Sequence, residues 1–101
     1  MEAECKKINP KIKTRIVQAD FAGNTAIPFY EGLYKQIDDL DIGILINNAG
    51  VMNNGPFSLM DFKEIKDTLD VDVMHLALFS NHFLPALLKR KVRSALINVG
   101  S

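Results

Sequence analysis

Cysteine, net charge and long apolar runs are what this sequence has least of. A single cysteine, Cys5, cannot form an internal disulfide, which suits a reducing compartment and rules out a disulfide framework. Lysine and arginine number 12 and aspartate and glutamate 12, so the formal net charge is zero. A neutral balance gives no long-range field to draw nucleic acid or an anionic membrane. The opening MEAECKKINPKIK has no apolar stretch behind its charges and does not read as a secretory signal. The most apolar run, Val73 to Leu88, is interrupted by His75, Asn81, His82 and Pro85. It is also shorter than the ~20 residues a bilayer crossing needs. It reads as a buried or amphipathic helix, so no membrane span is expected in this chain. His75 and His82 share a helix face but have no third ligand nearby, so no metal site is expected.

What is present describes one ordinary globular unit: 101 residues, 48% hydrophobic and 24% charged. Residues 1–9 read as the end of a helix closed by Pro10. Thr14 to Asp20 reads as a short strand ending on an acid. FAGNTA has turn chemistry in Gly23 and Asn24, and Thr25 is a candidate N-cap. From there to Asp39, Ile27, Tyr30, Leu33, Tyr34 and Ile37 recur at helical spacing, with Pro28 in the first turn. Asp41 to Asn47 is a second strand whose near-continuous apolar run predicts cover on both faces.

VMNNGPFS is a loop, and Ser58 or Asp61 is placed to cap a long helix. In that helix Leu69, Val73, Leu76, Phe79, Phe83 and Leu87 make one apolar stripe, and Pro85 is expected to bend its last turns. Lys89 to Arg93 puts cations at the helix C-terminus. SALINVGS is a third strand. Strand and helix alternate throughout, which predicts an α/β fold with a parallel sheet and right-handed crossovers. Ligands of such sheets bind outside the carboxyl ends of the strands. Those ends carry Asp20, the run Asn47-Asn48-Ala49-Gly50, and Gly100-Ser101. Small residues let backbone approach a ligand closely, amides offer donors and an acceptor, and a carboxylate accepts from amino or hydroxyl groups. Taken singly, each has a plain structural reading: a turn glycine, a loop acid, a terminal serine.

Together, VQADF, DIGILINNAGV and LPALLKRKVRSALINVGS resemble the short-chain dehydrogenase/reductase family. The DIGIL lead and the ADF tip resemble most the branch of 17β-hydroxysteroid dehydrogenases and very-long-chain 3-oxoacyl-CoA reductases. The resemblance covers nearly the whole chain. It implies an incomplete Rossmann-type doubly wound sheet, with residues 1–101 as the central part of one NAD(P)-binding domain. It also implies an NAD or NADP cofactor, NADP being favoured, and a lipid-like ketone or hydroxyl substrate. By position, Asp20 matches the acid that touches adenine. Asn47, Asn48, Ala49 and Gly50 match the stretch that steadies the sheet beside the adenosine ribose. Ser101 matches the serine that hydrogen-bonds the substrate oxygen. Cytoplasm or an endoplasmic-reticulum association is what the branch implies for location.

The chain departs from the family pattern in three places. It contains no glycine-rich turn T-G-x-x-x-G-I-G and no Y-x-x-x-K, whose tyrosine and lysine would lie just beyond Ser101. With Pro85 as anchor, the family's asparagine of the long helix falls on Asp72, and a different gap puts it on Val73. An aspartate there keeps the shape, adds a charge and loses a donor. Two functional readings therefore stand. One is a portion of an NAD(P)(H)-dependent oxidoreductase, inactive as the isolated chain. The other is a non-catalytic remnant or interaction module that docks, as a homodimer for example, through the helix from Asp61 to Lys89.

Overall fold

A computed structural model describes residues 1–100. Its elements run α1 (Glu2–Ile8), α2 (Ile27–Lys35), β1 (Ile44–Asn47), a short 3-10 turn (Phe57–Leu59), α3 (Phe62–Leu69), a π-helical turn (Asp70–Met74), α4 (His75–Lys89) and β2 (Ala95–Asn98). β1 and β2 are parallel neighbours, with Ile44 opposite Ala95 and Asn47 opposite Asn98. The helix between them is the crossover that a parallel pair requires.

Several expectations hold and several are corrected. The fold is α/β with a parallel sheet, but the described residues form a two-stranded sheet. Thr14 to Asp20 is not a strand. A ladder needs a neighbour to accept its bonds, and no strand lies beside this segment among the described residues. Side chains hold it instead: Arg15 grips Asp39 at 2.6 and 3.0 Å and donates to the Gln36 carbonyl at 2.9 Å. Helix α2 is led by Ala26, not Thr25, with Pro28 in its first turn, and it ends at Lys35. Asp61, not Ser58, caps the long helix. Its carboxylate accepts the Glu64 N–H at 2.8 Å while Glu64 accepts the Asp61 N–H at 2.9 Å, a complete capping box.

Helices α3 and α4 and the π turn form one continuous helix of 28 residues, Phe62–Lys89. By length and composition alone it is long and apolar enough to cross a membrane. In this structure it packs on both strands, and a capping box and ion-paired carboxylates occupy its first half. The π turn also corrects the predicted stripe. Leu69 and Val73 are 54% and 56% exposed, whereas Val71, His75, Phe83 and Leu87 are buried. One extra residue in the turn rotates the residues before it relative to those after it. Pro85 lies inside α4, which continues past it to Lys89.

The core is an aromatic cluster where α2 meets α4. Tyr30 stacks with Phe21, Phe79 meets Tyr34 edge-on, and the Tyr34 hydroxyl donates to the Leu78 carbonyl at 3.1 Å. Cover on both strand faces is not found: Ile44 and Ile46 are 62% and 56% exposed. At the amino end of β1, Gly43 leaves room for the Arg90 guanidinium, which pairs with Asp41.

Candidate functional site

The sheet ends in a pair of facing asparagines. Asn47 and Asn98 are register partners at the last position of each strand. Asn47 is 3% exposed, and its amide donates to the Asn98 side-chain oxygen at 2.9 Å and the Ser80 hydroxyl at 3.1 Å. Both of its N–H donors are therefore spent inside the protein. This residue ties β1, β2 and α4 together and has no donor left for a ligand. Asn48, Ala49 and Gly50 are exposed beyond it.

A cleft of about 530 Å³ opens at these tips, within the ordinary range of small-molecule sites. Asn48, Ala49 and Gly50 form one wall, Asn98, Val99 and Gly100 the other, and Asp72 and Leu76 of the long helix lie along it. The Asp72 carboxylate accepts the Val51 N–H at 2.8 Å, and a side chain at Gly50 would meet that same oxygen at 3.4 Å. The wall is bare backbone and small side chains backed by a carboxylate. A second, apolar groove of about 340 Å³ continues from it, sharing Val51, Met52 and Asp72 and adding Phe57, Met60 and Leu69.

The structure thus brings Asn48 to Gly50 and Asp72 into one cleft and sets Asn47 behind it. Asp20 does not line that cleft. It is exposed, and one carboxylate oxygen accepts the Ala22 N–H at 3.1 Å, holding its own turn. The Asn24 amide closes the turn on the Asp20 carbonyl at 2.8 Å. That turn is docked on the long helix, because the Gly23 N–H donates to Asp70 at 3.2 Å. Ser101 lies outside the described residues. Among the described residues no three metal-ligating side chains converge. His75 bonds the Val71 carbonyl, and His82 bonds Asp38 at 2.7 Å while stacking on Tyr34 at 3.6 Å.

Sequence reasoning missed Asn98, Ser80 and Asp70. For Asn98 a signal existed: INN at 46–48 and INV at 97–99 end both parallel strands on asparagine at the same step. Asp70 had none, since its partner Gly23 is 47 residues away.

A cleft outside the carboxyl ends of a parallel pair is where open α/β sheets bind their ligands. A model of the short chain dehydrogenase family matches residues 1–101, and the chain belongs to that family. Members of the family generally use NAD(P). The very-long-chain 3-oxoacyl-CoA reductase of Mycosarcoma maydis is 31% identical over 101 aligned residues, which cover 98% of this chain and 28% of the relative. The protein of the same description from Coccidioides immitis (strain RS) is 35% identical over the same shares. Inactive hydroxysteroid dehydrogenase-like protein 1 of Homo sapiens is 30% identical over 93 residues, 90% of this chain and 27% of the relative. The chain spans little more than a quarter of the length of these relatives.

Proposed function

We propose that this chain is the central part of a single NAD(P)-binding domain in an oxidoreductase acting on the ketone or hydroxyl of a 3-oxoacyl or steroid substrate, with NADP(H) favoured. The observation that carries this reading is the cleft at the carboxyl ends of β1 and β2, walled by Asn48, Ala49, Gly50 and Gly100. Its volume, and the little side-chain bulk at Ala49, Gly50 and Gly100, fit a flat dinucleotide lying against backbone. When bound, the nicotinamide supplies the hydride. Asn47 fixes the separation of the two strand tips through Ser80 and Asn98. Asn48 offers an exposed amide to a ribose. Asp20, with one carboxylate oxygen committed to Ala22, keeps the other for an adenine amino group. Asp72 holds Val51 and so fixes the glycine-bearing wall. Ser101, next after Gly100 in the sequence, is the residue that the family resemblance assigns to the substrate oxygen.

The test is to express the chain with the coding sequence on either side and to follow NADPH and NADH oxidation with a 3-oxoacyl thioester and a 17-ketosteroid. Turnover with NADPH that is abolished by Ser101→Ala supports the reading. A longer product that binds neither nucleotide overturns it. The 101-residue chain alone lacks the glycine-rich turn and the Y-x-x-x-K groups. It is expected to leave NADPH fluorescence unchanged at micromolar concentrations.

A second reading, a non-catalytic docking module, is favoured by the exposed apolar side chains Leu69, Val73, Leu84 and Leu88 along the long helix. Sedimentation distinguishes it: a dimer dispersed by Leu84→Glu with Leu88→Glu supports docking through that helix.

A further inference from the structure

Among the described residues Asp70 is the one buried carboxylate. A carboxylate taken out of water must be paired and hydrogen-bonded. Asp70 meets that requirement with two donors on the same oxygen: the Lys66 ammonium from its own helix and the Gly23 N–H from a distant turn, at 3.2 Å. Gly23 has φ +72°, a left-handed conformation that glycine adopts without steric cost. The turn it belongs to is the one that carries Asp20. A second contact anchors the same turn, since Phe21 stacks on the buried His75 ring at 4.6 Å. Both anchors stand in or immediately after the π turn Asp70–Met74.

The same π turn holds the other rim. Asp72 accepts the Val51 N–H at 2.8 Å and lies along the cleft beside Gly50. Residues i and i+2 of a helix do not face each other, so the two carboxylates reach to different sides and each takes one loop. π turns interrupt α-helices frequently at functional sites. Here the interruption sets two acids of one turn against two loops that the sequence separates widely.

We propose that Asp70 is a positioning residue for the adenine end of the nucleotide site, fixing the Asp20 turn relative to the Asn48–Gly50 wall, with Asp72 as the opposite jaw of the same brace. This rests on the proposed function, in which Asp20 faces adenine. Loss of the Asp70 oxygen releases Gly23 and lets the Asp20 turn drift, while the Val51 side stays held.

The experiment uses the isotopically labelled 101-residue chain and reads amide hydrogen exchange at Gly23 and Val51, then titrates 5′-AMP at millimolar concentration. Asp70→Ala is expected to speed Gly23 exchange about tenfold, the worth of one charge-assisted hydrogen bond, and to leave Val51 at its wild-type rate. Asp72→Ala is expected to do the reverse. Asp70→Asn, which returns a neutral oxygen to the same place, is expected to be intermediate. The 5′-AMP dissociation constant, read from the Ala22 and Gly23 shifts, rises about tenfold in Asp70→Ala and recovers partly in Asp70→Asn. Equal acceleration of Gly23 and Val51 in every variant means general loosening and overturns the brace, as does an unmoved Gly23. If Asp70→Ala does not fold, Asp70→Asn decides alone: a ratio of Gly23 to Val51 rates raised about threefold supports the brace, and an unchanged ratio ends it. If 5′-AMP binds equally well to all variants, the positioning role fails and the nucleotide reading stands. If wild type shows no shift at all with 5′-AMP, the assignment of Asp20 to adenine is what fails, and the positioning role falls with it.

Discussion

The two faces of the small sheet both carry apolar side chains and have opposite fates. Toward α4, Asn47 is buried in a hydrogen-bonded tie with Ser80 and Asn98, and the helix packs on both strands. On the other side Ile44, Ile46, Ile97 and Val99 stand exposed. Alternate residues of a strand point to opposite faces, so β1 offers isoleucines to one side and a leucine and an asparagine to the other. Apolar side chains on both faces are the mark of a parallel sheet covered by helices on both sides. The described residues supply one of the two covers. The radius of gyration agrees: 16.0 Å, against about 13 Å for a compact chain of this length.

Truncating one apolar side chain on each side tests this contrast most directly. Leu87, buried on α4, is expected to cost about 2–5 kcal/mol as Leu87→Ala, enough to abolish the cooperative transition of a small chain. Ile46→Ala is expected to cost less than about 0.5 kcal/mol, because its side chain already meets water. Urea unfolding followed by circular dichroism measures both. A cost for Ile46→Ala that matches Leu87→Ala, and that grows with protein concentration, would show that a second copy covers the bare face. Between these extremes lies Asn47→Leu. It fills the same space but leaves the Ser80 hydroxyl and the Asn98 oxygen without their donor, an expected loss of about 1–3 kcal/mol. A neutral outcome would mean that water replaces the amide and that the strand tips are not held by it.

Local chemistry was legible and long-range pairing was not. Asp61 followed three residues later by Glu64 announces a capping box, and the structure contains it. The alternation of apolar runs with helical periods announced α/β order, and the strand ends on asparagine and glycine marked where a cleft forms. Thr14 to Asp20 has strand composition but no neighbour, and strand identity is a property of a pair. The stripe through Leu69 and Val73 holds only for an unbroken period of 3.6. A π turn changes that period without a glycine or proline to mark it. Nothing local marks Asp70, since only the folded chain puts Gly23 against it.

A smaller effect separates the two halves of the long helix, the first depending on local bonds and the second on packing. Asp61→Ala removes one arm of the capping box and is expected to cost about 1 kcal/mol. Fraying should be confined to α3, read as faster amide exchange at Glu64 and Ile65. The stretch from Phe79 to Leu87 should keep its wild-type rates, because buried aromatic contacts hold it. Uniform acceleration along Phe62–Lys89 would show instead that the π turn transmits the loss and that the helix behaves as one unit.

The smallest expected effect concerns the segment without a ladder. Arg15 holds Asp39 by two hydrogen bonds, and these, with the nearby positive charge, keep the Asp39 carboxyl below the ordinary carboxylate range against the opposing cost of desolvation. A group whose pKa is lower folded than unfolded contributes stability above its unfolded value and loses it as the pH falls through the folded one. Wild type should therefore lose this contribution on acidification below about pH 5, while Asp39→Asn shows a flatter acid limb and gains nothing at neutral pH. Both groups are solvent-exposed and the pair is screened, so added salt should shrink the difference. An acid limb identical in the two proteins would mean that Arg15 does not tether the segment in solution. Residues 14–20 would then depend on the Asp70 contact at Gly23 for their place beside the long helix.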